Sequence, residues 1–94
     1  MRIRHIIWLT AIEQKLLWKH SVKVHEVEEL IHNQPRYQFI EKGNKKGEDV
    51  YAALGQTDAG RYLICYFIRK SAKDALVLSA RDMSKPERKM YGRK

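Results

Sequence analysis

The sequence predicts an α+β domain in the order β-α-α-β-β-β-β-α, an antiparallel sheet with two N-terminal helices and a C-terminal helix. Between residues 10 and 32, apolar residues recur at helical spacing. From Arg36 onward the period shortens, and four runs rich in β-branched and aromatic residues are separated by Gly-, Asn- and Asp-bearing turns. The closing stretch SARDMSKPERKMY holds a helix start, Ser84-Lys85-Pro86-Glu87, whose serine and glutamate can satisfy free amides in a capping box.

In chain order, Ile6-Ile7-Trp8 reads as a short strand. Thr10-Ala11-Ile12-Glu13 has the pattern of a capping box, and Ile12, Leu16 and Leu17 suit an amphipathic helix ending near His20. Val24, Val27, Leu30 and Ile31 predict a second helix that stops before Pro35, because proline disfavours helical geometry in the residue before it. Segments Arg36–Glu41, Asp49–Leu54, Arg61–Ile68 and Ala75–Ala80 are the four strands, with KGNKKG and GQTDAG as turns. The run YLICYFI is apolar at both parities, which predicts a central strand covered on both faces. KGNKKG lacks the spacing and the helix start of a phosphate-binding loop, so it reads as a hairpin tip.

Ninety-four residues make one domain, 1–94, with a shallow core. The longest apolar run, Tyr62 to Ile68, is shorter than the ~18 residues a membrane span needs, and Ile6 to Leu9 is shorter than a signal peptide's apolar region. The expectation is a cytoplasmic protein without a membrane partner. Cys65, the single cysteine, lies inside the apolar run and reads as a small core residue. Trp8 and Trp18 read as core or interface aromatics, and Met83 and Met90, seven apart, as packing residues.

Charge is uneven. Residues 1–60 carry nine Lys/Arg against eight Asp/Glu, whereas residues 61–94 carry ten against three, so +7 of the net +8 lies in the last third. A polyanionic partner is the expectation, since each neutralised phosphate releases condensed counterions.

Trp8, then KHSV at Lys19–Val22, HEVEELI leading to NQP, GED at Gly47, ALGQTDAGRYL at Ala53–Leu63 and SARDMSKPERKMY at Ser79–Tyr91 follow one another in an order and spacing that resemble the BrnT family of bacterial type II toxin–antitoxin systems. The resemblance implies a RelE-like fold and a metal-independent endoribonuclease that inhibits translation, without a cofactor, until a cognate antitoxin binds it. It also implies that the complex binds operator DNA, chiefly through the antitoxin, and that toxin dimers are bridged by antitoxin. The chain departs from the family at Leu9, where aspartate is common, at Ser21, where glycine is common, and at Asp49, where arginine is common. Those departures leave a second reading, a catalytically silent module of the same fold that binds antitoxin or nucleic acid.

Cutting RNA without a metal requires deprotonation of the ribose 2′-hydroxyl, stabilisation of charge on the phosphate oxygens and protonation of the leaving oxygen. No His/Cys/Asp cluster has zinc-like spacing, so no metal ligands are assigned. The catalytic candidates are His20, Lys19, Glu48, Arg61 and Arg81. His20 can titrate near neutrality beside Lys19, or cap its helix or pack against Trp18. Glu48 can act as a base or be a solvated hairpin carboxylate. Arg61 and Arg81 adjoin strands, where a rigid sheet can hold a guanidinium against phosphate oxygens, or where either can form a surface ion pair. Lys85, Arg88 and Lys89 share a face of the last helix as an RNA-binding row, and Tyr91 can stack on an unpaired base. His5, His25 and His32 are read as incidental.

Overall fold

A computed structural model describes residues 1–93; Lys94 lies outside the described residues. The elements are β1 (His5–Ile7), α1 (Thr10–His20), α2 (Val24–His32), β2 (Arg36–Glu41), β3 (Asp49–Gln56), β4 (Tyr62–Arg69), β5 (Asp74–Asp82) and α3 (Lys85–Gly92). They form an α+β fold in the predicted order, around one five-stranded sheet with strand order β1-β5-β4-β3-β2. From β2 to β5 each strand pairs antiparallel with the next. β1 is the exception: it runs parallel to β5, with His5 opposite Asp74 and Ile7 opposite Leu76.

β4 is central, and its two apolar parities are both covered. Leu63, Cys65 and Phe67 join Ala53, Val77 and Ala80 beneath Leu16, Val22, Val27 and Leu30 of the α1–α2 layer. Ile64 joins Ala52, Leu54 and Met83 on the other face, where Met90 and Tyr91 of α3 pack. Full burial of a side chain such as Leu30 or Phe67 contributes about 1.5–3 kcal/mol. Gly55 lets α2 approach the sheet, because a Cβ there would stand 2.8 Å from Leu30 Cδ1.

β5 carries a bulge. Tyr66 pairs with Ser79 but Phe67 pairs with Val77, so Leu78 is an extra residue and the strand's facing pattern inverts across it. Ala75 and Val77 face the α1–α2 layer, as does Ala80 beyond the bulge, and Arg81 then points to the α3 face.

The Thr10 capping box does not form. Leu9 is the N-cap residue, in extended geometry, and Thr10 is already helical, so Thr10 and Glu13 sit one position too far into the helix to cap it. In α1 Leu16 is buried, but Leu17 is exposed. Lys23 precedes α2, and its N–H donates to Glu26 Oε1 at 3.0 Å. α3 starts with the predicted box: Ser84 Oγ accepts from the Glu87 N–H, and Glu87 Oε1 accepts from the Ser84 N–H at 2.8 Å. Its C-terminal end is held by Arg36, whose Nη1 donates to the carbonyls of Met90 and Arg93.

Cys65 is fully buried, and burial pushes its thiol up to about 12, which removes the thiolate that reactivity requires. No helix among the described residues is long and apolar enough to cross a membrane.

Candidate functional site

Three chain segments meet at the end of the sheet where β4 begins and β5 finishes. α1 ends in His20, and Ser21 follows in left-handed geometry with φ 52°, which turns the chain sharply into α2. Arg61, just before β4, closes this corner. Its Nε donates to Asp82 Oδ1 at 2.7 Å, and its Nη1 to the Ser21 carbonyl at 2.8 Å and to Glu26 Oε1 at 3.1 Å. Its Nη2 donates to the His20 carbonyl at 3.1 Å and to Asp82 Oδ2 at 3.2 Å. Every N–H of this guanidinium is engaged within the protein, leaving no fork for a phosphate.

The charges are mutually adjusted. The Asp82 hydrogen bond raises Arg61 further above its ordinary value against the opposing effect of burial, and Arg61 in turn, with nearby His20 helping, holds the Asp82 carboxyl below the usual range. Burial pushes Glu26 upward, but hydrogen bonds from the Lys23 N–H and Arg61 outweigh it and the carboxyl is lowered overall. Both carboxylates are therefore ionised at neutral pH.

Arg81 occupies the other face. It stands opposite Ile64 in the register, whereas Asp82 stands opposite Leu63, so the pleat sends Arg81 toward α3 and the Asp82 side chain toward α1 and α2. Its guanidinium makes a fork with Glu87, Nη1 to Oε1 at 2.7 Å and Nη2 to Oε2 at 2.8 Å, with a further bond to the Tyr66 hydroxyl at 3.3 Å. Arg81 holds the Glu87 carboxyl down to about 2 against the effect of burial, with the Ser84 N–H adding to the pull. Nη1 of Arg81 also donates to the Asp82 carbonyl, so one residue touches both arginines, by side chain on one face and by backbone on the other.

The candidates predicted from the sequence thus divide. His20, Lys19 and Arg61 belong to the α1–α2 side of this corner, with His20 half-buried and Lys19 exposed. Arg81 belongs to the α3 side, and it shares no concave surface with Arg61. Glu48 is remote from both: it precedes Asp49, which pairs with Arg69, at the end of β3 about seven residues, roughly 23 Å, from the Gln56–Tyr62 pair. It lines a depression with Lys42, Asn44, Val50 and Ile68 and cannot touch a phosphate held at His20.

On α3, Lys85, Arg88 and Lys89 are exposed, and Arg88 lies 4.0 Å above the Tyr62 ring in a cation–π contact. Tyr91 is half-buried in the second cluster, edge-on to Tyr62 with ring centroids 6.1 Å apart, so its ring packs the helix on the sheet. Sequence reasoning missed Glu26, Tyr66 and Asp82, and read Glu87 as a capping residue without its fork to Arg81. The available signal was Arg81-Asp82 at a strand end, where adjacent side chains reach opposite faces. Among the described residues no group of three His, Cys, Asp or Glu side chains is placed to hold a metal ion.

The chain is thus a small α+β protein with a basic C-terminal helix on one sheet face and a histidine–arginine–carboxylate corner on the other. The family model described as ribonuclease toxin, BrnT, of type II toxin–antitoxin system matches residues 8–87, and the chain belongs to that family. The crystal structure of the Brucella abortus ribonuclease toxin BrnT is similar, with a TM-score of 0.61 and 18% identity over 86% of this chain and 97% of that chain. At that identity the likeness establishes the fold. No curated protein matches the chain.

Proposed function

We propose that this chain is the toxin of a type II pair, cutting RNA without a metal and so inhibiting translation until its cognate antitoxin binds. The observation that supports this most is the family match over residues 8–87. In this reading the ribose–phosphate backbone crosses the strand ends at Asp82. Lys85, Arg88 and Lys89 hold the flanking phosphates, and Lys19 neutralises charge that develops on the scissile one. His20 moves the proton between the 2′-hydroxyl and the leaving oxygen. Arg61 is a positioning residue, because its bonds to the His20 and Ser21 carbonyls fix the turn that carries the imidazole. Operator binding belongs to the complex with antitoxin, which also bridges two toxin copies.

The test is cleavage of a defined RNA in excess EDTA by the wild-type chain and by His20→Gln. Wild-type cleavage should be retained and the variant slowed by about 100-fold or more, the usual contribution of a positioned acid–base group. Intact RNA with folded wild-type protein would sink the reading. One observation favours a second reading, a silent binding module: both arginines already spend their forks on Glu26, Asp82 and Glu87. That reading expects a salt-dependent RNA complex from which the RNA is recovered whole.

A further inference from the structure

α1 ends in an unusual surface. Trp18 is 86% exposed, the most exposed of the large apolar side chains, and Leu17 beside it is 54% exposed. Neither lapse in amphipathicity is needed by the core. Leu16 is buried and His20 half-buried, and Trp18, two residues from each, points about 200° around the helix from them, away from the body. Leu17 opens onto a groove of about 180 Å³ that it lines with Glu13, Gln14, Val22, Lys23 and Val24. Lys15 and Lys19 flank Trp18 on the helix surface, Lys23 lines the groove, and none of the three makes a salt bridge among the described residues. Glu13 is the one acidic side chain on α1.

We propose that Trp18, Leu17 and this groove are the docking surface for the protein antitoxin, received through an amphipathic segment that sets apolar side chains against Trp18 and Asp or Glu against the lysines. The proposal rests on the toxin reading above and adds to it the place where the partner seats. A groove walled by Leu17, Val22 and Val24 suits aliphatic side chains better than bases or phosphates. An exposed indole flanked by Lys15 and Lys19 has the composition of an interface hot spot whose partner supplies both apolar contact and opposite charge.

The experiment uses the protein encoded beside this chain's gene as the probe. Its affinity is measured for the wild-type chain, Trp18→Ala and Leu17→Asp, together with RNA cleavage and thermal midpoint. The expected result is an affinity about 30-fold or more weaker for each variant, with cleavage and thermal midpoint unchanged because both side chains are exposed. Equal affinity in all three proteins overturns the docking surface and leaves the partner itself in place. Weakened cleavage with unchanged affinity assigns Trp18 to RNA, and a dimer that Trp18→Ala dissociates without loss of affinity assigns it to a second copy; either overturns the proposal. A wild-type chain that does not bind the probe removes the partner reading and this surface with it. Partner affinity that depends on Trp18 in a chain that cuts no RNA upholds the docking surface and defeats the cleavage reading.

Discussion

Ser21 shows how one backbone angle organises the corner. With φ at 52° it turns α1 into α2, sets the carbonyls of His20 and Ser21 toward Arg61, and does so as a residue with a Cβ in the left-handed region. Glycine enters that region without steric cost. Ser21→Gly should therefore raise stability by about 0.5–1 kcal/mol, measured as a higher denaturant midpoint with unchanged slope. A lower midpoint would mean that the Ser21 side chain contributes something the backbone does not. The serine alone did not disclose the turn, since serine is an ordinary residue in helices and turns alike; the resemblance, which implies glycine here, was the one sign of it.

Among the elements, α3 was the most legible and β5 the least. Ser84 and Glu87 stand three apart before a run of helix formers, a local pattern that needs no tertiary information, and the box forms as read. β5 looks like a plain alternating strand, and alternation from Ala75 and Val77 would set Arg81 on the same face as Arg61. The extra residue at Leu78 reverses the parity, and a bulge is selected by the neighbouring strand, which local sequence does not report. α1 failed at its start for a related reason: Thr10 has the right chemistry to cap, but tertiary packing begins the helix one residue earlier. Glu87 ties α3 to Arg81 and so makes the element sensitive to acid. Its carboxyl is lowered from 4.5 to about 2, so the ion pair and cap stabilise fully above about pH 4.5 and are lost as pH falls toward 2. Discounted for the 36% exposure of the Arg81 side chain, this is about 1–2 kcal/mol. Glu87→Gln should lower stability at pH 7 and flatten its dependence on pH below 4.5, checked by urea unfolding across that range. An unchanged acid slope would show that the pair contributes nothing.

For the whole molecule, charge was read correctly in amount and only partly in place. The excess of the last third is not one patch: Arg61 and Arg81 are neutralised by Glu26, Asp82 and Glu87, while Lys85, Arg88 and Lys89 stay exposed along α3. Composition counts charges without telling which ones a fold consumes. If α3 holds RNA phosphates, replacing these three by glutamine should lower the slope of log affinity against log salt by about 2, from about 0.7 per single-strand contact. Titration of a 2′-deoxy-substituted, uncleavable strand at several salt concentrations measures this apart from catalysis. A slope that does not change would move the backbone contacts elsewhere on the surface.

The parallel pairing of β1 with β5 has a consequence for how the protein comes into being. His5 meets Asp74 across a separation of 69 residues, and the strand on which α1 rests is the last of the sheet. A chain emerging from the ribosome at about 5–20 residues per second therefore holds its first strand and helix without a seat until nearly all of it has been made. The corner at His20 comes together only when Asp82 arrives. A prematurely ended translation product lacks that corner altogether, so under the cleavage reading proposed above the activity arrives only at the close of the chain's own synthesis.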